Sequence, residues 1–303
     1  MSEAGHRLRA LLAGPGILVL PGVFNGYSAR LVEALGYRAA AISGAGLSEN
    51  LLGWADRGIL SFDENLRACS ALADCTGIPL LADGDTGYGN AVNVHFVVRA
   101  FEKAGLAALS IEDQVWPKRC GHMAGKAVIP AIEMAGKVRA AVDARRSPDF
   151  LIRARTDAAA LGGTAEAIDR LNLYAEAGAD ILFADALLSA ADIALVARSV
   201  PKPLAVNMGF GLIERGTTPL LTPLQLERLG VRAVSYPRML TSAALRGMQA
   251  ALAAFAETVA SPEPVSRPDL LVSFDEINRL MGLDRLRGLE ERYAAPDAGD
   301  EEG

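Results

Sequence analysis

Eight short apolar runs, each ending in small or polar residues and each followed by a segment with helical spacing, constrain the fold of this chain more than any other feature. They are Ile17–Leu20, Ala39–Ser43, Pro79–Asp83, Ala108–Glu112, Leu151–Thr156, Ile181–Asp185, Pro203–Asn207 and Ala233–Tyr236. Runs of this length bounded by turn signals read as strands. The stretches between them, such as Ala91–Ala104, Ala165–Ala177 and Leu224–Leu229, carry alanine, leucine and charged residues and read as helices, with Gly105 and Gly178 placed as C-caps. Such alternation predicts a parallel sheet, either a closed (β/α)8 barrel of the TIM type or an open doubly wound sheet. The barrel is favoured because polar residues end nearly all eight strands, where barrel enzymes keep their sites, instead of clustering after one or two. No G-x-G-x-x-G loop follows the first strand, which weighs further against dinucleotide chemistry.

With 303 residues, 51% of them hydrophobic, the chain can fill one such barrel, expected over residues 1–260. A proline-rich linker at 261–268 leads into a helical extension at 269–293, with Ile277, Leu280, Met281, Leu286 and Leu289 on its apolar side. That side needs something to cover, either the chain's own barrel or a neighbouring subunit within reach of the linker. The acidic end, 294–303, is expected to be disordered.

Lysine plus arginine (30) falls below aspartate plus glutamate (36), for a formal charge of −6 with no basic run, so nucleic acid and anionic membranes are not expected partners. Cys69, Cys75 and Cys120 form no paired framework and lack zinc spacing, which suits a reducing compartment, and the cytoplasm is the expected location. The apolar stretch at Ile17–Leu20 is far shorter than the roughly 20 residues of a membrane span. Neither an export signal nor an anchor is expected.

Two constellations carry chemistry. Asp83 and Asp85 follow the third strand in Asp83-Gly84-Asp85-Thr86-Gly87-Tyr88-Gly89-Asn90, and in extended chain residues i and i+2 project to the same side. Glu112 ends the adjacent strand, bringing a third carboxylate to the same level. Oxygen donors without histidine or cysteine favour Mg²⁺ or Mn²⁺. Each aspartate taken singly also suits a helix cap or a turn. The second constellation, Lys118-Arg119-Cys120-Gly121-His122, sets a thiol between cations and an imidazole, surroundings that lower a cysteine pKa and fit it for proton transfer near neutrality.

Together these segments resemble the isocitrate lyase/phosphoenolpyruvate mutase superfamily, whose lyase branch carries a K-[KR]-C-G-H loop after an I-E-D-Q strand end, preceded by D-x-D-x-G-[YF]-G. The resemblance runs over nearly the whole chain, through Pro21-Gly22-Val23-Phe24, Ser43-Gly44-Ala45-Gly46, Ala154-Arg155-Thr156-Asp157, Asn207, Thr218-Pro219-Leu220 and Glu290-Glu291-Arg292-Tyr293. It implies a barrel whose last helix is exchanged between subunits, commonly in a tetramer built from dimers. It also implies that Asp83, Asp85 and Glu112 organise Mg²⁺, with Asp56 reaching the metal through water; Asp56 is equally compatible with an ordinary loop aspartate. Ser43, Gly44 and Ala45 match a carboxylate-binding loop and Arg155 its cationic clamp, since an inward arginine otherwise lacks an anion. Asn207, Gly121, Asp185 and Glu214 complete the expected substrate contacts.

For a 2-hydroxy acid of the isocitrate or 2-methylisocitrate type, the resemblance implies C–C cleavage to an α-keto acid and succinate. Cys120 serves as the acid/base, and Lys118, Arg119 and His122 tune the thiol or bind a product carboxylate. Related chemistries are carboxyphosphonoenolpyruvate mutase and oxaloacetate decarboxylase, the latter typically without the cysteine loop. A non-catalytic barrel would show degraded metal or acid/base positions, and none is degraded. Three departures gather in one sector of the mouth. Asp185 stands where the lyases show Pro-Glu, Arg153 takes an inward place commonly apolar, and four extra residues, Gly209–Leu212, precede Glu214-Arg215-Gly216.

Overall fold

The computed structural model describes residues 3–119, 125–210, 218–259 and 261–294. In chain order, α1 (Glu3–Ala13) precedes β1 (Leu18–Val23), α2 (Gly26–Ala34), β2 (Ala40–Ile42), the short α3 (Gly44–Leu47) with a π turn at Ser48–Leu52, and α4 (Phe62–Cys75). There follow β3 (Leu80–Asp83), α5 (Ala91–Lys103), β4 (Ala108–Glu112), α6 (Ala131–Ala144), β5 (Leu151–Thr156), α7 (Ala159–Glu176) and β6 (Ile181–Ala184). The barrel part closes with α8 (Ala190–Ser199), β7 (Leu204–Asn207), α9 (Pro223–Arg228) and β8 (Ala233–Tyr236). All strands pair in parallel in sequence order, and β8 returns to β1 through Leu18↔Ala233 to Pro21↔Tyr236, so the sheet is a closed eight-stranded barrel as expected.

Strand parity divides the apolar side chains into two cores. Inward residues, among them Leu18, Leu20, Ala41, Leu81, Leu151, Ile181 and Phe183, fill the barrel together with Leu8 and Leu12 of α1. Helix α1 therefore plugs the N-terminal end, and Arg232 ties it down by donating to the carbonyls of Leu12 (2.8 Å) and Gly14 (2.6 Å). Outward residues such as Val23, Leu80, Ile111 and Ile152 pack under the helices, with Val94, Phe101, Val138 and Tyr174 covering them. Each fully buried side chain of this kind contributes about 1.5–3 kcal/mol relative to exposure. With one end plugged, the C-terminal ends of the strands are left as the place for a site.

Local chemistry accounts for the helix limits. Asn90 caps α5 in a box with Asn93, so Asp83 is not a helix cap. Gly105 and Gly178 follow α5 and α7 with φ of 88° and 104°, the left-handed turn that a side chain resists.

The chain divides into two compact units, Met1–Ala243 and Ala244–Gly303. The boundary falls inside the long helix α10 (Met239–Val259), upstream of the proline-rich 261–268. The second unit continues with α11 (Phe274–Leu280) and α12 (Leu283–Tyr293). These two are separate helices because Gly282 adopts φ 79° between them. No described helix is long and apolar enough to cross a membrane.

Candidate active site

Inward parity brings the polar strand ends to one cleft. Asp83, Glu112, Arg153, Arg155, Asn207 and Ser235 line it from five strands, and Asp185 lines it from just beyond β6. Ser43, Gly44 and Ala45 form one wall, and Asp56, Lys118 and Arg119 lie over the carboxylates. Ser43 caps α3, its hydroxyl accepting from Gly46 N at 3.1 Å. Glycine at 44 is required by contact: a Cβ there would stand 2.6 Å from Asp83 Oδ2. Cys120, Gly121, His122 and Glu214 lie outside the described residues.

At the acidic end the two aspartates converge by a turn, not by extended chain. Asp85 has φ 49°, and its backbone N–H donates to Asp83 Oδ1 at 3.1 Å. The expectation of an i, i+2 projection is therefore corrected in its geometry, although both residues reach the cleft region. Asp85 O then accepts from Glu112 N at 2.8 Å, locking the turn to β4. The Lys118 ammonium sits between Asp56 Oδ2 (2.6 Å) and Asp85 Oδ1 (2.7 Å). Burial pushes Asp85 up to about 6, with Asp83 and Asp56 adding to the rise and Lys118 opposing it. Burial also raises Glu112, against the pull of Arg155. Desolvation alone would lower the Lys118 pKa, but the carboxylates of Asp85, Asp83, Glu112 and Asp56 outweigh it and raise it. Lys118 thus serves as a counter-ion to the carboxylates.

Asp85 Oδ1 is buried and lacks an aligned hydrogen bond, despite its short ion pair with Lys118. It is an oxygen directed at a cation. Among the described residues no three of His, Cys, Asp and Glu close into a ligand cluster. The oxygen-only donors Asp83, Asp85 and Glu112 suit Mg²⁺, which takes one or two carboxylates directly and keeps several waters.

The cationic end is organised around Arg155. Its Nε and Nη2 donate to Asp157 Oδ2 and Oδ1 at 2.8 and 2.9 Å, and the guanidinium also meets Glu112 (3.3 Å) and Asp185 (3.2 Å). The expectation that an inward arginine would lack an anion is corrected: Asp157, folding back from the strand end, supplies one. Desolvation would raise Asp157, yet Arg155 and Lys126 hold it down to about 2. Lys126 Nζ lies 2.7 Å from Asp157 and 3.7 Å from Asp185, so the shorter carboxylate at 185 does reach the site.

Beneath this, Asp113 is fully buried and accepts from Thr156 Oγ1 (2.6 Å), Tyr174 Oη (2.7 Å), Asp157 N (2.9 Å) and Arg170 Nη1 (3.2 Å). Burial raises its pKa against these donors. Gln114 does the corresponding work for the cysteine loop. Its amide donates to Glu112 Oε1 and to Arg119 O, both at 2.9 Å, and accepts from Arg119 N at 3.0 Å. Sequence reasoning missed Gln114, Lys126 and Ser235 as site residues. Inward parity on β8 was signal enough for Ser235, whereas nothing local marks Lys126.

Comparison with known proteins follows the same outline. The family profile described as phosphoenolpyruvate phosphomutase matches residues 8–256. The chain is 39% identical over 288 residues to 2,3-dimethylmalate lyase of Eubacterium barkeri, covering 95% of this chain and 97% of that protein. It is 41% identical over 252 residues to 2-methylisocitrate lyase of Aeropyrum pernix, covering 83% and 80%. Among solved structures, oxaloacetate acetylhydrolase in complex with the inhibitor 3,3-difluorooxalacetate is similar with a TM-score of 0.88 and 29% identity, covering 97% of this chain and 98% of that one. Phosphonopyruvate hydrolase in complex with oxalate and Mg²⁺ is similar with a TM-score of 0.81 and 31% identity, covering 96% and 99%.

Proposed function

The chain belongs to the phosphoenolpyruvate mutase/isocitrate lyase superfamily, and from that membership we propose that it is a Mg²⁺-dependent carbon–carbon lyase acting on a 2-hydroxy di- or tricarboxylate. The substrate is of the 2-methylisocitrate or isocitrate type, and the products are pyruvate or glyoxylate and succinate. One observation carries the reading: a single cleft sets the carboxylates of Asp56, Asp83 and Glu112 against Arg153 and Arg155, with the Lys118-Arg119-Cys120-Gly121-His122 segment beginning at its lip. The lyase relatives, and the similar hydrolase that binds oxalate and Mg²⁺, support it.

In this reading Asp83, Asp85 and Glu112 would organise Mg²⁺, directly or through its waters, with Asp56 acting through water, and the ion would supply Lewis acidity toward a hydroxyl and its neighbouring carboxylate. The residues of the chain do the rest. Ser43, Gly44 and Ala45 with Arg155, Asp185 and Asn207 orient the substrate, and Gly121 and Glu214 complete its contacts. As the C–C bond breaks, the hydroxyl proton passes to a carboxylate of the cleft, the hydroxyl carbon becomes a carbonyl, and the electron pair of the broken bond stays on the departing succinate carbon. The Cys120 thiol then delivers its proton to the succinate carbon, with Arg119 and His122 setting its acidity. Closing the loop over the cleft excludes water while the carbanion exists.

A substrate panel tests this. With 2-methylisocitrate, isocitrate, 2,3-dimethylmalate and oxaloacetate, keto acid and succinate are expected in equal amounts from one of the first two, and a chelator should stop their release. Decarboxylation of oxaloacetate as the dominant reaction would replace the lyase reading.

We also propose a cytoplasmic homo-oligomer, a tetramer built from dimers, with no nucleic-acid or membrane partner. Supporting it, Leu245, Met248, Leu252, Phe255 and Val259 recur along α10 at spacings of three and four, and all are more than half exposed. A stripe of this kind marks a helix–helix seam. Phe274 and Tyr293 in the following helices are also strongly exposed. Ending the chain at Pro264 should drop the particle mass or cause aggregation. Light scattering that returns the full-length mass would show that the extension covers no neighbour.

A further inference from the structure

Two residues below Arg155 on the same inward face of β5, Arg153 is buried, with 7% of its surface exposed. Its Nε donates to Ser110 Oγ at 3.0 Å. Its guanidinium stacks 5.0 Å from the centre of the Phe183 ring, which it shares with Arg155 at 5.3 Å. The side chain is therefore held from two sides, while Nη1 is buried and has no hydrogen-bond partner among the described residues. The Oγ of Ser235 on β8 is likewise buried and unpartnered. Both residues line the cleft, and Asn207, the register neighbour of Ser235, lines it beside them.

The neighbouring cations behave differently. Lys118, Lys126, Arg155 and Arg238 each meet a carboxylate of the protein, whereas Arg153 makes no ion pair among the described residues. Burial pushes its pKa down to about 10, and attraction by Asp83, Glu112 and Asp185 only partly offsets this. A buried charged donor without an acceptor is costly, and the interior supplies none to Nη1. An inward arginine engaged by Ser110 and Phe183, with a buried nitrogen left without an acceptor, and a buried unpartnered hydroxyl lining the same cleft have the form of an anion seat.

We propose that Arg153 Nη1 and Ser235 Oγ form a subsite for a second carboxylate of the substrate, so that the cleft selects 2-hydroxy acids carrying an anionic group beyond the 2-hydroxy acid head. This rests on the lyase reading only in taking the cleft as a 2-hydroxy acid site. In this role Arg153 determines specificity and takes no part in proton transfer.

The test is equilibrium binding without turnover. Malate and 2-hydroxybutyrate share a four-carbon 2-hydroxy acid skeleton and differ in carrying a carboxylate or a methyl at the far end. Calorimetric titration of the Mg²⁺-loaded full-length protein should show malate binding about tenfold or more tightly than 2-hydroxybutyrate. In Arg153→Met that ratio should fall to about twofold or less, with 2-hydroxybutyrate affinity retained. Ser235→Ala, which leaves every charge in place, should lower the ratio severalfold, and Arg153→Lys should keep part of it. The last two variants carry the test if Arg153→Met does not fold. An undiminished ratio in the variants would overturn the subsite and leave Arg153 as a counter-charge for Asp83. Equal loss of both probes would also overturn it. A wild-type protein that binds neither probe would remove the 2-hydroxy acid reading itself and the subsite with it.

Discussion

Replacing Asp85 with alanine should lower kcat/KM by about 10³-fold or more, on the scale of losing an electrostatic stabiliser in a water-poor site, and should abolish the stabilisation that Mg²⁺ confers on the wild type. The two halves of this expectation have one cause. Burial lifts Asp85 from the ordinary 3.8 to about 6, with Asp83 and Asp56 contributing and Lys118 opposing. A folded-state pKa above the unfolded one means that burial stabilises relative to the charged group only at low pH. The cost develops as pH rises through that interval and is complete above about 6, where a shift of this size is on the order of 3 kcal/mol. At neutral pH the folded protein therefore carries a buried carboxylate whose cost is offset by the Lys118 ammonium 2.7 Å away, itself held protonated by Asp85, Asp83, Glu112 and Asp56, and a carboxylate oxygen so placed suits a cation ligand. Mg²⁺ should raise the melting temperature of the wild type and not that of Asp85→Ala. Retained turnover in metal-free buffer, or a collapse in stability without loss of Mg²⁺-dependent stabilisation, would place the metal elsewhere.

How far the sequence could lead depends on which information is local. Strands β4, β5 and β8 have the limits read from the apolar runs. Strand β1 runs on from Leu20 to Val23, since Pro21 pairs with Tyr236 and Gly22 with Ala41. Those are long-range contacts that no local pattern encodes. Asp185 falls just outside β6, although its N–H still reaches Thr156 O at 3.0 Å. Helix α1 was not anticipated as a plug, because its apolar stripe has no visible destination until the barrel closes.

In the site, the identities of Asp83, Asp85, Glu112, Arg155 and Asn207 were legible as strand-end polar residues at a common level. Their pairings were not. Lys118 is two residues from Cys120 and was read with it, but in irregular chain near neighbours point different ways, and its ammonium turns to Asp56 and Asp85. Arg155 was expected to need an external anion, with no partner for it apparent in the local pattern. The Asp157 side chain, two residues on, instead folds back to make the bidentate pair. Charge type is written in the sequence; which charges neutralise each other depends on distances that only the closed barrel sets. That difference separates Arg155, already neutralised, from Arg153, whose Nη1 is not.

Cys120→Ser should lower kcat by about 10²- to 10⁴-fold with little change in the binding of the keto-acid product, because a hydroxyl is a far weaker proton donor than a thiol set among cations. Cys120 lies outside the described residues, but its sequence neighbours Lys118, Arg119 and His122 and the settings of the other two cysteines single it out. Cys69 is fully buried in α4, and burial, with Asp83 and Asp85 nearby, raises its pKa strongly. Cys75 ends the same helix, its Sγ donating to Leu72 O at 3.4 Å, and burial again raises its pKa. Neither is a reactive thiolate near neutrality. A thiolate-selective alkylating reagent should therefore modify Cys120 first, and peptide mapping should find label at 120 before 69 or 75. Gln114 bears on the same experiment, since it joins Glu112 to both backbone groups of Arg119, immediately before the cysteine. Occupancy of the cleft by Mg²⁺ with pyruvate and succinate should slow the labelling by drawing the loop over the site. A Cys120→Ser enzyme that cleaves its 2-hydroxy acid at near wild-type rate would move the acid/base to another residue, and the mutase and decarboxylase chemistries of the superfamily would then stand ahead of the lyase.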